Sequence, residues 1–296
     1  MKVLVAGWFS FEQMGATAGD ILARDVVCRW LEEGGVSHDV ATAPPFAQGV
    51  DWRSVEARQY SHVLFVCGPF GNGWPITDFL ARFAGRRFVG VDLSMLQSLD
   101  EWNPFHLLLE RDSSRAARPD LVFLSTRPAV PVVGLVRVHP QKEYQERSAH
   151  GAADELLDQV LATREVAVVS IDTRLDRNET GLRTAAEVES LIARVDVVLT
   201  TRLHGLVLAV KNGVPAVAVD PIRGGAKILR QARTLGWPHA YPVDEATPAG
   251  LGEAFERCLR PEARAEAVAI AARARERLAD VRDAVLDELR RPPAGA

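Results

Sequence analysis

Five consecutive residues, Thr201-Arg202-Leu203-His204-Gly205, place a guanidinium and an imidazole two positions apart. An arginine fork can hold a carboxylate or a phosphate through two parallel hydrogen bonds. An imidazole can move a proton near neutral pH. An apolar run at 195–199 precedes these groups, and an apolar stretch at 206–211 follows, closed by Asn212-Gly213 and Pro215. The pattern predicts a buried parallel strand, a very short turn and a helix that starts near His204. That helix stops in a left-handed turn at Asn212-Gly213, and the next strand begins just past Pro215. Polar groups at the carboxyl end of a parallel strand, beside a helix N-terminus, stand where open α/β sheets bind ligands. The free N–H groups and the dipole of the helix favour an anion there. A histidine at a helix start also serves as an ordinary cap, and with 31 arginines against four lysines an arginine alone says little. Lys227 is one of those four, in the loop Asp220-Pro221…Gly224-Gly225-Ala226-Lys227 that follows the next strand. It points toward the same sheet edge or into solvent.

The elements that must position these groups alternate along the whole chain. Apolar runs at 3–6, 62–67, 88–93, 107–110 and 121–124 form a first series of strands, and runs at 132–138, 166–171, 195–199 and 216–219 form a second. Continuous rather than alternating hydrophobicity marks strands covered on both faces. Helical spacing appears after residue 20, where Leu22, Val26, Val27, Trp30 and Leu31 share a face that ends at Gly34-Gly35, and Asp20 suits the start of that helix. Further helices are expected near 152–161, 185–194, 206–211 and 226–235. The segment 125–131, with Pro128 and Pro131, reads as a linker. The expected fold is therefore α/β, with two Rossmann-like parallel-sheet domains facing a cleft. They cover residues 1–127 and 131–260, and a long C-terminal helix at 261–290 packs back across their junction. The tail at 291–296 is expected to be disordered.

Composition narrows the function classes. In 296 residues, 47% are hydrophobic and 25% charged, as in a globular protein with a real core. A net charge of −4 gives no electrostatic support to nucleic-acid binding. No stretch approaches the roughly 18–20 apolar residues that span a bilayer, and MKVLVAGWF reads as a first strand rather than a signal peptide, so a cytoplasmic location is expected. Cys28, Cys67 and Cys258 are too scattered for a disulfide framework or a metal motif. Gly7, Gly15 and Gly19 lack the spacing of a dinucleotide-binding loop.

The string TTRLHGLVLAVKNGVPAVAVD resembles the signature of polysaccharide pyruvyl transferases, in which a strand, Arg-Leu-His, an apolar helix and Gly-Val-Pro follow in order. Gly19-Asp20 before an apolar helix is similar to the family's N-terminal Gly-Asp motif, although Thr17-Ala18 stands where an Asn is usual. Glu110-Arg111-Asp112-Ser113-Ser114, Pro119-Asp120, Val133-Gly134-Leu135-Val136-Arg137 and Gly225-Ala226-Lys227 through Gly236 also have counterparts, so the resemblance extends over about residues 1–240. It implies transfer of the three-carbon skeleton of phosphoenolpyruvate onto two sugar hydroxyls, forming a cyclic ketal and releasing phosphate. Arg202 and Arg137 would hold the donor's anionic groups, with Leu203, Gly205 and Lys227 in the same donor site on the second domain, and His204 would transfer the proton. Asp20, on the acceptor-side first domain, would orient or deprotonate the sugar hydroxyl, or simply cap its helix. The resemblance implies no cofactor besides the donor substrate and no metal. The implied partners are a small-molecule donor and a sugar acceptor, and peripheral contact with a lipid-linked acceptor fits the same reading. Two other readings stay open: a GT-B glycosyltransferase using a nucleotide-sugar, and a binding protein of the same fold without activity.

Overall fold

The computed structural model describes residues 1–139 and 146–291. Lys142 and residues 292–296 of the expected disordered tail lie outside the described residues. The chain forms two compact units, Met1–Pro128 and Ala129–Ala296, divided within the Pro-containing segment.

In the first unit, strands β1 (Lys2–Ala6), β2 (Ser37–Val40), β3 (His62–Phe70), β4 (Arg87–Met95) and β5 (Leu107–Leu109) pair in parallel in the order β2-β1-β3-β4-β5. Helix α1 (Ala18–Glu33) starts in a capping box: the Thr17 hydroxyl accepts the Asp20 N–H, and the Asp20 side chain accepts the Thr17 N–H. Val27 and Ala23 of α1 pack on Val3, Val5 and Val66. Another cluster of this unit is aromatic, built from Phe11, Phe65, Phe70, Phe79 and Phe83 with Trp52, and Phe79 comes from the short helix α2 (Ile76–Arg82).

In the second unit, β6 (Val132–Val136), β7 (Ala167–Ser170), β8 (Val197–Thr200), β9 (Ala216–Asp220) and β10 (Ala240–Pro242) pair in parallel in the order β10-β9-β8-β6-β7. Between them run α3 (His150–Ala162), α4 (Ala185–Ile192), α5 (Leu203–Lys211) and α6 (Lys227–Leu235), with α7 (Pro248–Cys258) after β10. Strands β8 and β9 are buried at every position, as their continuous hydrophobicity predicts. In each sheet the chain turns back on its own order, between β1 and β3 and between β6 and β8. Such switch points open a crevice at the carboxyl ends of the strands.

Several expectations change. Residues 121–124, expected as a strand, form a 3-10 turn, because Asp120 accepts the Val122 N–H and curls the backbone. Phe123 is left 84% exposed there, so apolarity alone misled. The edge strands β2 and β10 and the helices α2 and α7 carry weak patterns and were not expected. The C-terminal helix breaks into α8 (Pro261–Arg277) and α9 (Val281–Leu289). Within its own unit, α8 packs on α5 and α7. Its arginines explain the placement: Arg275 donates to the Lys211 carbonyl at the end of α5, and Arg277 to the Thr234 carbonyl in the last turn of α6. Basic side chains satisfy the acceptors that helix C-termini leave over.

Candidate functional site

The turn between β8 and α5 is set by Thr200, which is fully buried. Its hydroxyl donates to the Val136 carbonyl at 2.8 Å and accepts the Arg202 N–H at 2.9 Å, tying the start of α5 to β6. Thr201 accepts the Val138 N–H at 3.0 Å and fixes the other side of the turn. Arg202 is the N-cap residue of α5, yet no side chain caps the helix. Gly205 and Leu206 both donate to the Arg202 carbonyl, while the N–H groups of Leu203 and His204 have no carbonyl within the helix to reach and no side-chain cap.

Gly205 allows the close approach. A Cβ there would sit 2.2 Å from Thr200 Oγ1, 2.9 Å from Thr200 Cβ and 3.0 Å from Val136 Cγ1. Gly205→Ala is therefore expected to push α5 off the sheet and destabilise the protein by about 1–3 kcal/mol. Urea unfolding checks this, and wild-type stability would show that α5 tolerates displacement.

Arg202, Leu203, His204 and Lys227 line one cavity of about 260 Å³, closed by Val138, Asp220 and the loop that follows it. The structure thus brings the Arg-Leu-His segment and Lys227 together. His204 is exposed on the first turn of α5 and makes no hydrogen bond with the described residues, so it is not the capping residue that a lone histidine at a helix start often is. Nη1 of Arg202 is buried without a hydrogen-bond partner, and its nearest carboxylate oxygen, Asp172 Oδ1, stands 3.7 Å away. Burial works against the guanidinium's charge, and Asp172 offsets part of that. Asp172 is itself buried. Although burial tends to raise it, the N–H groups of Arg174 and Glu179 and the charge of Arg202 hold its carboxyl below the ordinary value. A charged fork with an unmatched N–H beside a bare helix N-terminus is a site for an anion.

Arg137 is not brought to that cavity. It pairs with Asp158, lies 3.8 Å from Asp154 on α3, and lines a neighbouring cavity of about 180 Å³ with His139, Asp172 and Glu179. The two cavities meet at Asp172, which lines the one with Arg137 and stands 3.7 Å from Arg202 Nη1. Side chains alternate along a strand, and the position after β6 turns Arg137 toward the α3 carboxylates.

Asp220 carries more than its sequence position suggested. Buried at the end of β9, it accepts N–H groups from Ile222, Ala226 and Leu229, which shapes the loop and caps α6.

The first unit holds its own cavity of about 420 Å³ at its switch point, lined by Trp8, Thr17, Asp20, Cys67, Arg111 and Asp120 among others. Three motifs far apart in sequence, Gly19-Asp20, the arginine of Glu110-Arg111-Asp112 and Pro119-Asp120, meet here. Asp20 borders the cavity, but its Oδ2 accepts both the N–H and the hydroxyl of Thr17 at 2.7 Å. Arg111 donates to Asp120 at 2.8 Å and to Ser94 at 2.6 Å. Burial raises the Asp92 carboxyl above its usual value, partly countered by the Leu121 N–H, and burial pushes the Cys67 thiol up to about 12. Cys67 and Asp92 were not anticipated as site residues, since nothing in their local sequence distinguishes them from strand interiors.

Comparison with known proteins gives two kinds of result. Solved structures with weak likeness include a glycotransferase of kitacinnamycin (12% identity, 98% of this chain and 99% of that one, TM-score 0.37). They also include a spinosyn forosaminyltransferase (15%, 92% and 94%, 0.35) and a Methanocaldococcus jannaschii UDP-GlcNAc 2-epimerase (11%, 88% and 93%, 0.33). No curated protein sequence matches. Residues 119–221, about a third of the chain and the part that holds β6 to β9 with the Arg202–His204 segment, match the model of the polysaccharide pyruvyl transferase family.

Proposed function

We propose that this protein is a pyruvyl transferase. It moves the pyruvyl group of phosphoenolpyruvate onto a sugar of a cell-surface polysaccharide or its precursor. The observation that carries this reading is the convergence of Arg202, His204, Lys227 and the uncapped N-terminus of α5 on one cavity, with Arg202, His204 and α5 inside the segment that matches the family. Arg202 grips the donor's carboxylate or phosphate, and the helix N-terminus and Lys227 add to the attraction. His204 delivers a proton to the methylene carbon, which becomes a methyl group as the adjacent carbon turns electrophilic. One sugar hydroxyl adds to that carbon and loses its proton. The bond from that carbon to the phosphate oxygen breaks, and a second sugar hydroxyl adds to the same carbon to close the ketal, its proton leaving with the inorganic phosphate. Phosphate is already a good leaving group, so these steps need no metal at the donor groups and no cofactor. No helix among the described residues is long and apolar enough to cross a membrane, which fits work in the cytoplasm on a soluble or lipid-linked acceptor.

A nucleotide-sugar glycosyltransferase would also use a helix N-terminus for phosphates, but it needs an acidic group free for the ribose. Asp220 does not serve, because both its oxygens already accept buried N–H groups. The test is a thermal-shift screen of phosphoenolpyruvate against nucleotide-sugars, followed by acceptor-dependent phosphate release. Donor at 100 times its dissociation constant should stabilise by about 2.7 kcal/mol. Stabilisation by nucleotide-sugars alone would overturn the proposal, and donor binding without turnover on any acceptor would indicate an inactive binding protein.

Arg202→Lys is expected to weaken phosphoenolpyruvate binding about 10- to 100-fold, because an ammonium keeps the charge and loses one of two charge-assisted hydrogen bonds. Calorimetric titration checks it, and unchanged affinity would remove Arg202 from the donor site.

A further inference from the structure

Asp92 is 4% exposed, and one of its oxygens has no hydrogen-bond partner. Oδ1 accepts the Leu121 N–H at 3.0 Å, whereas Oδ2 is sealed from solvent without a well-formed hydrogen bond, and the Cys67 thiol and the Asp120 carboxyl are the polar groups that interact with this carboxyl. A buried carboxylate oxygen in that state calls for a ligand or a proton. Around it stand Cys67 and Asp120. One ligand atom from each of the three residues lies within 4.8 Å of the others.

The backbone is bent to bring them there. Cys67 and Asp92 lie in neighbouring strands, between the register pairs Val66↔Val91 and Gly68↔Leu93, and both adopt left-handed φ values of 63° and 60°. Non-glycine residues hold that conformation at a cost, and such strain concentrates at functional sites. Two of them side by side in a sheet interior, with their side chains in one cluster, mark a built feature.

We propose that Cys67, Asp92 and Asp120 bind a divalent transition-metal ion of the zinc type, with a fourth position open to the cavity of the first unit. The donor set selects the ion. A thiolate with two carboxylates suits zinc, whereas magnesium and calcium take all-oxygen sites. The charge balance agrees. Three anionic ligands, less the Arg111 guanidinium that lies 2.8 Å from Asp120 and 4.0 Å from Cys67 Sγ, leave two negative charges for a divalent ion to neutralise. Zinc bonds of about 2.0–2.3 Å place tetrahedral ligands roughly 3.3–3.8 Å apart, so from separations within 4.8 Å the side chains need close by no more than roughly 1–1.5 Å on binding. The thiol proton is released to solvent as the sulfur takes the metal. Cys67 and Asp120 both line the cavity, which gives the ion its path and leaves one position for water or a hydroxyl of a bound molecule.

The test is a cobalt(II) titration of the metal-stripped full-length protein. The expected result is one equivalent bound, with a near-ultraviolet thiolate-to-cobalt absorption band that zinc displaces. The band should persist in Cys28→Ser and Cys258→Ser. It should vanish in Cys67→Gly, a variant that eases the left-handed backbone and so keeps the fold. Asp92→Asn keeps an acceptor for Leu121 and tolerates the same φ. It should weaken cobalt binding at least as much as the roughly 10- to 100-fold that loss of an outer-sphere partner causes. No band in the wild type, a band that survives Cys67→Gly, or wild-type affinity in Asp92→Asn would each overturn the assignment. None of these readings depends on transferase activity.

Discussion

His204→Ala will leave the protein folded and lower turnover by roughly 10²–10⁴-fold, the contribution of a positioned proton-transfer group. Folding is spared because His204 is exposed and makes no hydrogen bond with the described residues, so its removal should change stability by no more than about 0.5 kcal/mol. Donor binding should survive as well, since the anion is held by Arg202 and by the N–H groups of α5 rather than by the imidazole. His204→Gln should do no better than alanine, because an amide donates a hydrogen bond but does not exchange a proton at neutral pH. Phosphate release from phosphoenolpyruvate with a sugar acceptor, measured beside donor affinity, separates the two effects. A variant that keeps wild-type turnover, or one that loses affinity and turnover equally, would take His204 out of the proton-transfer role.

Asp220→Ala will act through the fold. The carboxylate is 1% exposed and accepts N–H groups from Ile222 at 3.2 Å, Ala226 at 2.7 Å and Leu229 at 3.2 Å. Removing it leaves three buried donors unmet, each costing about 1–3 kcal/mol, so a loss of about 3 kcal/mol or more is expected. For a unit of this size that lowers Tm by roughly 6–12 °C. The loop carrying Lys227 should loosen with it, weakening donor binding. Asp220→Asn retains one acceptor oxygen and should lose only part of this. Equal stabilities for the two variants would show that the charge, not the hydrogen bonds, holds the loop.

Much of the second unit was legible in its residues. Fully buried strands such as β8 and β9 write themselves as unbroken apolar runs, because both faces need covering. The short turn before α5 and its left-handed stop at Gly213 follow from residue types with few other uses. Hence Arg202 and His204 could be assigned to one sheet edge by alternation alone, whereas Lys227 stayed open between that edge and solvent until the structure placed it on the same cavity. The weak elements could not. Ser37–Val40 and Ala240–Pro242 are short edge strands that need no apolar run, and Leu121–Leu124 had the apolar run without the burial.

By itself the sequence determined the alternation of strands and helices, the parallel sheets and the strand-end position of the Arg-Leu-His segment, because periodicity and backbone chemistry act within a few residues. Only the tertiary structure decided where the side chains went. Arg137 turned to the carboxylates of α3, and Cys67, Asp92, Arg111 and Asp120 met in one cluster. The Arg137–Asp158 pair spans 21 residues, and Cys67 and Asp92 lie 25 apart, so these outcomes depend on register between segments, where ion pairing and burial compete for the same groups and no local pattern records the winner.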